Sequence, residues 1–253
     1  MFSSNLLDNY LNTKTLGRIV KYKPKTFSTN NDAKQYINDN NYHGSLFVTD
    51  SQLKGRGRRD NIWESSQNKS LTFSLILYPK INFRSIGLLP LLAGISAVKG
   101  IQKSTSIQSG LKWPNDIILD QKKIGGILIE SKQTKHGFGI IIGMGLNINE
   151  KVSDIPNYII NKTSSLAIFT GKSFCREKIL ANILNEFEYL LDNCLNSIIS
   201  IWENSCIHMN SHISFHSEDE LHKGIFKGIS SEGYALIDIN GNFKTFPSGM
   251  IIL

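Results

Sequence analysis

The sequence predicts an α+β fold: a mixed, largely antiparallel sheet with helices over residues 1–206, then a small β-barrel over residues 207–253. Three observations carry this. Leu71, Phe73, Leu75 and Leu77 alternate with their neighbours, and a meander of hairpins follows over 111–143, which together read as an antiparallel sheet. Leu180, Ile183, Leu184, Phe187, Leu191 and Cys194 recur at helical spacing, so 174–194 is an amphipathic helix. From about Cys206 the texture changes to short strands divided by turn residues, the pattern of a small barrel.

Taken in order, residues 16–20 give a short apolar strand. Ser28-Thr29-Asn30 precedes a helix over 31–37; these are preferred N-cap residues, and Asp32 suits a first turn. The same three side chains can instead face a ligand at a strand-to-helix junction. A strand over 45–49 enters a loop, and one over 71–78 leaves it. The apolar run 86–98 belongs to a helix ending near 101. That run is too short to span a bilayer and contains Pro90 and Gly94, so it is a buried helix. A strand over 111–119 opens with Lys112-Trp113-Pro114-Asn115-Asp116 and turns at 120–122; strands over 123–130 and 138–143 complete the meander. A polar loop over 153–163 leads to the helix 174–194 and a second over 198–203. The barrel strands fall at 212–215, 224–229, 235–239, 244–246 and 250–253, with turns at 217–220, 232–233 and 240–241. Asn240-Gly241 is a type I′ hairpin signal.

The loop between the strands 45–49 and 71–78 is the chemical signal. Lys54, Arg56, Arg58 and Arg59 lie within six residues, interleaved with Gly55 and Gly57. A guanidinium grips carboxylate or phosphate in two-point contact, and glycine permits positive φ and close approach. Such a loop is built to hold anions. A solvated surface turn is the plainer reading, weakened by the interleaved glycines and the adjoining Trp63. The formal charge of +7 suits an anionic ligand, an acidic partner or nucleic acid. Lys112 beside Pro114 marks a special backbone. Gly125-Gly126 within an apolar strand marks a close approach of ligand or backbone. Asn147, after Gly143 and Gly145, offers an amide to a ring or sugar edge.

Other chemistries are excluded by spacing. No phosphate-binding loop of the G-x-x-x-x-G-K-[ST] type, no serine nucleophile elbow and no H-E-x-x-H occurs, and Gly143-Met144-Gly145 lacks a third glycine. His208, His212 and His216 are four apart, but the apolar residues between them alternate as in a strand, so no metal site is expected. Cys175, Cys194 and Cys206 form no C-x-x-C pair and suit reduced thiols in the cytosol. The N-terminus has no basic and apolar leader pattern.

Four stretches carry a resemblance. Thr49-x-x-Gln52-x-x-Gly55-Arg56-Gly57-Arg58-Arg59-x-x-x-Trp63, Lys112-Trp113-Pro114-Asn115-Asp116, 123–130 with its Gly125-Gly126 pair, and Gly143-x-Gly145-x-Asn147 together resemble the biotin–protein ligases, over roughly residues 14–253. The resemblance implies a catalytic domain like that of the class II synthetases, with an SH3-like C-terminal barrel. It implies that biotin and ATP form biotinyl-5′-AMP and pyrophosphate, and that a lysine of a biotin carboxyl carrier protein domain then displaces AMP. Mg²⁺ would accompany ATP, the location would be cytoplasmic, and a homodimer is allowed. No membrane is implied, and no DNA partner, because the motifs begin by Ser28. Arg56, Arg58 and Lys112 would hold the carboxylate and phosphate. Ser28, Thr29, Asn30 and Gln52 would bind the head of biotin, with Gly57, Trp63 and Gly126 around it, and Asn115 and Asn147 would meet the nucleotide. The loop would order on binding and exclude water.

The chain departs from the family pattern in three places. Asp60 stands where a glycine is usual, positioned to pair with Arg58 or Arg59. Residues 65–71 lack the usual Pro and Gly, and the C-terminus lacks an acidic and a basic residue. A lipoate–protein ligase is the nearest rival, but its Arg-Arg-x-Ser-Gly-Gly-Gly stretch is missing. A non-catalytic basic module would leave Ser28, Lys112 and Gly125-Gly126 unexplained.

Overall fold

The computed structural model describes residues 1–59, 61–78, 83–217 and 220–252. Helix α1 (Ser4–Asp8) and strand β1 (Val20–Lys23) lead into α2 (Thr29–Lys34), β2 (Leu46–Thr49), β3 (Leu71–Leu77) and the long helix α3 (Leu89–Thr105). Strands β4 (Gly110–Lys112), β5 (Asp116–Leu119), β6 (Lys122–Thr134) and β7 (Gly137–Leu146) follow, then α4 (Leu166–Thr170), α5 (Arg176–Asn193) and α6 (Ile198–Ser205). The strands form one sheet in the order β1-β2-β3-β7-β6-β5-β4. The β1–β2 pair is parallel and the other neighbouring pairs are antiparallel, which is the mixed sheet expected.

Several boundaries differ from the sequence reading for physical reasons. The apolar run 16–20 is not itself the first strand. Gly17 turns the chain with φ +74°, Leu16 enters the core, and pairing begins at Val20. The helix expected over 31–37 begins at Thr29 and ends at Lys34, and Ser28 makes no side-chain cap bond. Strand β3 is buried on both faces, although a period of two suggests one wet face. Its odd-numbered residues join the main core, while Ile76 packs with Ala33 and Ile37 near α2. The strand expected over 111–119 is two strands. Pro114 has no N–H for a ladder, the chain reverses there, and Lys112 closes β4 opposite Asp116 instead of opening a strand.

The helix expected over 86–101 is preceded by a tight turn and runs on to Thr105. Ile86–Thr105 is long and apolar enough to cross a bilayer, so the length argument against a span does not hold. Packing makes it a core helix, with Leu89, Leu92, Ala93 and Ile95 fully buried and α5 alongside.

Past α6, Cys206 bridges Leu111, and the Ile207 N–H donates to the Leu111 carbonyl at 3.0 Å. Strands β8 (His212–Ser217), β9 (Glu220–Ile229), β10 (Ala235–Ile239), β11 (Asn242–Phe246) and β12 (Met250–Ile252) then form a second, antiparallel sheet in the order β11-β10-β9-β8-β12. Asn240 and Gly241 take φ of 54° and 84° at the hairpin the sequence marked. Leu253, and residues 218–219 of the expected turn, lie outside the described residues. Ile213, Phe215, Phe226, Ile237 and Ile251 share one apolar interior with the larger sheet.

Candidate active site

A cavity of about 350 Å³ lies over β3, β6 and β7. Its lining brings together every contact residue singled out from the sequence: Ser28, Thr29, Asn30, Gln52, Arg56, Gly57, Arg58, Trp63, Lys112, Asn115, Gly126 and Asn147. The floor is a strip of small residues set by strand register. Gly126 pairs with Gly145, which pairs with Thr72; Leu128 pairs with Gly143, which pairs with Ser74. A Cβ on Gly143 would stand 2.2 Å from Asn30 Oδ1, and one on Gly145 2.2 Å from the Trp63 ring.

One end of the cavity is a closed polar network. Gln52 Oε1 accepts from the Thr29 N–H at 2.8 Å and from its hydroxyl at 3.2 Å. The Ser74 hydroxyl lies 2.7 Å from Thr29 Oγ1 and 2.5 Å from Asn30 Oδ1. Asn30 Nδ2 donates to Glu130 Oε2 at 2.8 Å. Ser28, Thr29 and Asn30 are buried and line the cavity, and Ser28 makes no side-chain cap bond, so the triplet does not merely cap a helix.

The arginine stretch forms a laddered finger. Residues 51–54 first run beside 26–27, where Leu53 N–H donates to Thr26 O and Lys54 N–H to Phe27 O, at 2.9 Å each. Gln52 N–H then reaches Ser65 Oγ (3.1 Å), Trp63 N–H reaches Gly55 O (3.0 Å), and Gly57 N–H reaches Asn61 O (2.7 Å), with Arg56 and Ile62 bridged. Neither Gly55 nor Gly57 uses a positive φ; the described residue that does is Arg59, at 52°. What demands glycine at 55 is space, because a Cβ there would lie 2.3 Å from the Trp63 carbonyl. The expected pairing of Asp60 lies outside the described residues. The indole of Trp63 lies against Gly145, and its buried Nε1 has no hydrogen-bond partner among the described residues.

The cations divide into two groups. Arg56 turns to the rim, where Nη2 donates to Asn31 Oδ1 at 2.9 Å and lies 3.3 Å from Glu130 Oε1. Arg58 and Lys112 are half-buried. Burial lowers the pKa of both below the usual range; Arg59 adds to this at Arg58, as do Lys123 and Lys162 at Lys112, against the opposing pull of Asp116. Partly desolvated cations with too few counter-charges favour an incoming anion.

Sequence reasoning passed over three contributors. Lys123 sits in the lining with its Nζ 2.6 Å from Asp116 Oδ1. Glu130 holds Asn30, Lys34 and Arg56 together; the period of two from Gly126 through Leu128 to Glu130 is the signal that places it on the cavity side. Gly249, Met250 and Ile251 also line the cavity, so the atypical C-terminus does reach the site. The amide nitrogens of Asn115 and Asn147 are engaged by the carbonyls of Ile127 and Ser164, which leaves their oxygens for a ligand. His208 lies apart from this site, buried against Trp202 and Phe226, while His212 and His216 alternate along β8.

Residues 22–147 match the Biotin/lipoate A/B protein ligase family. The chain is 31% identical over 248 residues to the bifunctional ligase/repressor BirA of Bacillus subtilis, covering 96% of this chain and 76% of that protein. It is 27% identical to biotin–protein ligase 2 of Arabidopsis thaliana, covering 98% of this chain and 78% of the relative. The biotin protein ligase of Aquifex aeolicus, solved with biotin and ATP, superposes with a TM-score of 0.79 at 28% identity, covering 93% of this chain and 98% of that one. With its glycine-floored cavity, polar network and arginine finger, the chain belongs to the biotin protein ligases of the biotin/lipoate A/B protein ligase family.

Proposed function

We propose that this cavity joins biotin to ATP and passes it to a carrier protein. The protein is an ATP-dependent biotin ligase that works through biotinyl-5′-AMP. A carboxylate oxygen of biotin attacks the α-phosphorus of ATP, and pyrophosphate leaves with the electron pair of the broken P–O bond. A lysine amine of the carrier then attacks the acyl carbon, AMP departs, and the amine proton is released.

One observation carries this reading: a single cavity joins a closed polar network to half-buried, under-compensated cations. The network of Thr29, Asn30, Gln52 and Ser74 presents donors and acceptors to the polar head of biotin. Arg58 and Lys112, with Arg56 swung in from the rim, offset the repulsion between carboxylate and triphosphate. They act by position and preorganised charge. No group of three metal-ligating side chains stands among the described residues. We assign Mg²⁺ to the substrate, as magnesium-bound ATP, because that ion binds mainly through phosphates and one or two carboxylates. Asp116, now paired with Lys123, and Glu64 are the lining carboxylates that would share it.

The carrier is proposed to be a biotin carboxyl carrier protein domain. Residues 1–206 are proposed as the catalytic unit and 207–253 as its C-terminal module. A cytoplasmic location is proposed on the free thiols of Cys175, Cys194 and Cys206.

Biotin-dependent ATP–pyrophosphate exchange tests the reading. Exchange is expected with biotin and not with lipoate; activity with lipoate alone, or with neither acid, would overturn it. Lys112→Ala should lower exchange at least about 100-fold. Its melting temperature should stay at or above that of the parent, since burial already disfavours that charge.

A further inference from the structure

The finger stands on two feet, and one buried guanidinium holds both. The last β2–β3 pair beneath it is Thr49 with Thr72. Above that pair the ladder gives way to one long backbone bond, Asn68 N–H to the Asp50 carbonyl at 3.3 Å, and Arg176 fills the fork beside it. Arg176 Nη2 donates to Asp50 Oδ1 at 2.8 Å, and Nη1 donates to the Ser70 carbonyl at 2.9 Å. The two charged side chains are 7% and 3% exposed. The other Asp50 oxygen accepts from Tyr22 Oη at 2.5 Å and from the Phe2 N–H at 3.2 Å. Ser70 Oγ accepts from the Ser66 N–H at 2.7 Å and donates to Glu150 Oε1 at 2.5 Å.

Arg176 does not line the cavity and belongs to a helix that packs on α3. Yet every rung of the finger is built outward from the two points it joins. Gln52, whose Oε1 accepts from Thr29, lies two residues beyond Asp50. A guanidinium holds its two arms in one rigid plane, so it sets the separation of the feet as well as their charge. Burial would raise the Asp50 carboxyl, but hydrogen bonds from Tyr22, Arg176 and the Phe2 N–H hold it below the usual range, so the clamp stays charged.

We infer that Arg176 is a positioning residue for biotin activation: it fixes the splay of the finger's feet and so the placement of Gln52, Arg56 and Arg58 over the cavity. The inference rests on the biotin-ligase reading.

The test measures KM and kcat for biotin-dependent ATP–pyrophosphate exchange, with thermal melting in parallel, in Arg176→Met, Arg176→Lys, Asp50→Asn and Glu186→Ala. Glu186 lies on the same helix, buried, and binds Lys103 of α3, so its loss reports destabilisation without touching the finger. Arg176→Met and Asp50→Asn should raise KM for biotin and ATP at least about 10-fold. Arg176→Lys should recover much of the melting temperature but not KM, because an ammonium reaches one foot at a time. Glu186→Ala should lower the melting temperature and leave KM within about twofold. Unchanged KM in Asp50→Asn, full recovery of KM in Arg176→Lys, or a rise in Glu186→Ala equal to that of the clamp variants would each overturn the inference. No exchange in the parent would instead overturn the functional reading.

Discussion

His208 is 1% exposed and packs edge-on to Trp202 and against Phe226, with Cys206 Sγ 3.3 Å from its Nδ1. Burial, with a smaller effect from the Lys112 charge, lowers its pKa to about 4, and burial pushes the Cys206 thiol up to about 12. Both groups are therefore neutral in the folded state near pH 7. A depressed histidine contributes stability that is fully present above its unfolded pKa, about 6.5, and is lost as pH falls from there through the folded value. The loss should approach about 3 kcal/mol across that window, at about 1.4 kcal/mol per unit. Melting curves of the parent should fall more steeply between pH 6.5 and 4 than those of His208→Gln; parallel curves would refute this. At this scale the alternation of the residues between the histidines, as in a strand, sets their spacing aside as a metal motif, but it does not foretell that His208 is buried as packing.

The β6–β7 hairpin decides what can approach the cavity. Register brings Gly126, Gly145 and Thr72 into one row, and the Trp63 ring occupies the space left by the missing side chain at 145. Gly145→Val should expel that ring and raise KM for biotin at least about 10-fold. Trp113 and Trp202 are each 2% exposed, so acrylamide quenching of the expelled indole reads the change directly. The quenching slope should rise, and an unchanged slope would count against this packing. Gly143 and Gly145 were legible as a motif, but their role was not. Only the pairing of β7 with both β3 and β6 shows that they clear a floor for Asn30 and Trp63.

Across the whole molecule, the second sheet is tied to the first by close backbone contact. A Cβ on Gly233 would stand 2.3 Å from the Gly87 carbonyl, and Gly233 has φ +87°, where a side chain costs roughly 1–2 kcal/mol. Trp113 Nε1 donates to the Gly233 carbonyl at 3.4 Å, and Gly249 packs on the Trp113 ring. This contact holds Gly249–Ile251 at the cavity wall. Gly233→Ala should destabilise the protein by about 1–3 kcal/mol. It should also speed hydrogen exchange at 230–234 and 249–251 together, with exchange in β3 and β7 unchanged. Faster exchange at 230–234 alone would show that the wall is held by other contacts.

Local patterns in the sequence suffice for the α+β class, the run of short C-terminal strands that forms the second sheet, the arginine stretch and the residues that meet in the cavity. Periodicity, turn chemistry and the spacing of a few motifs are local properties, and those survive folding. Packing between distant segments supplies the rest. It made β3 wet on neither face, because α2 covers the side that alternation left polar. It split the strand at Pro114 and placed Lys112 opposite Asp116. It turned a loop into a laddered finger and sent Arg176, more than a hundred residues away in the chain, between the finger's feet. These outcomes depend on which distant segments come into contact, and a local pattern sets the period of an element without naming the surface it will meet.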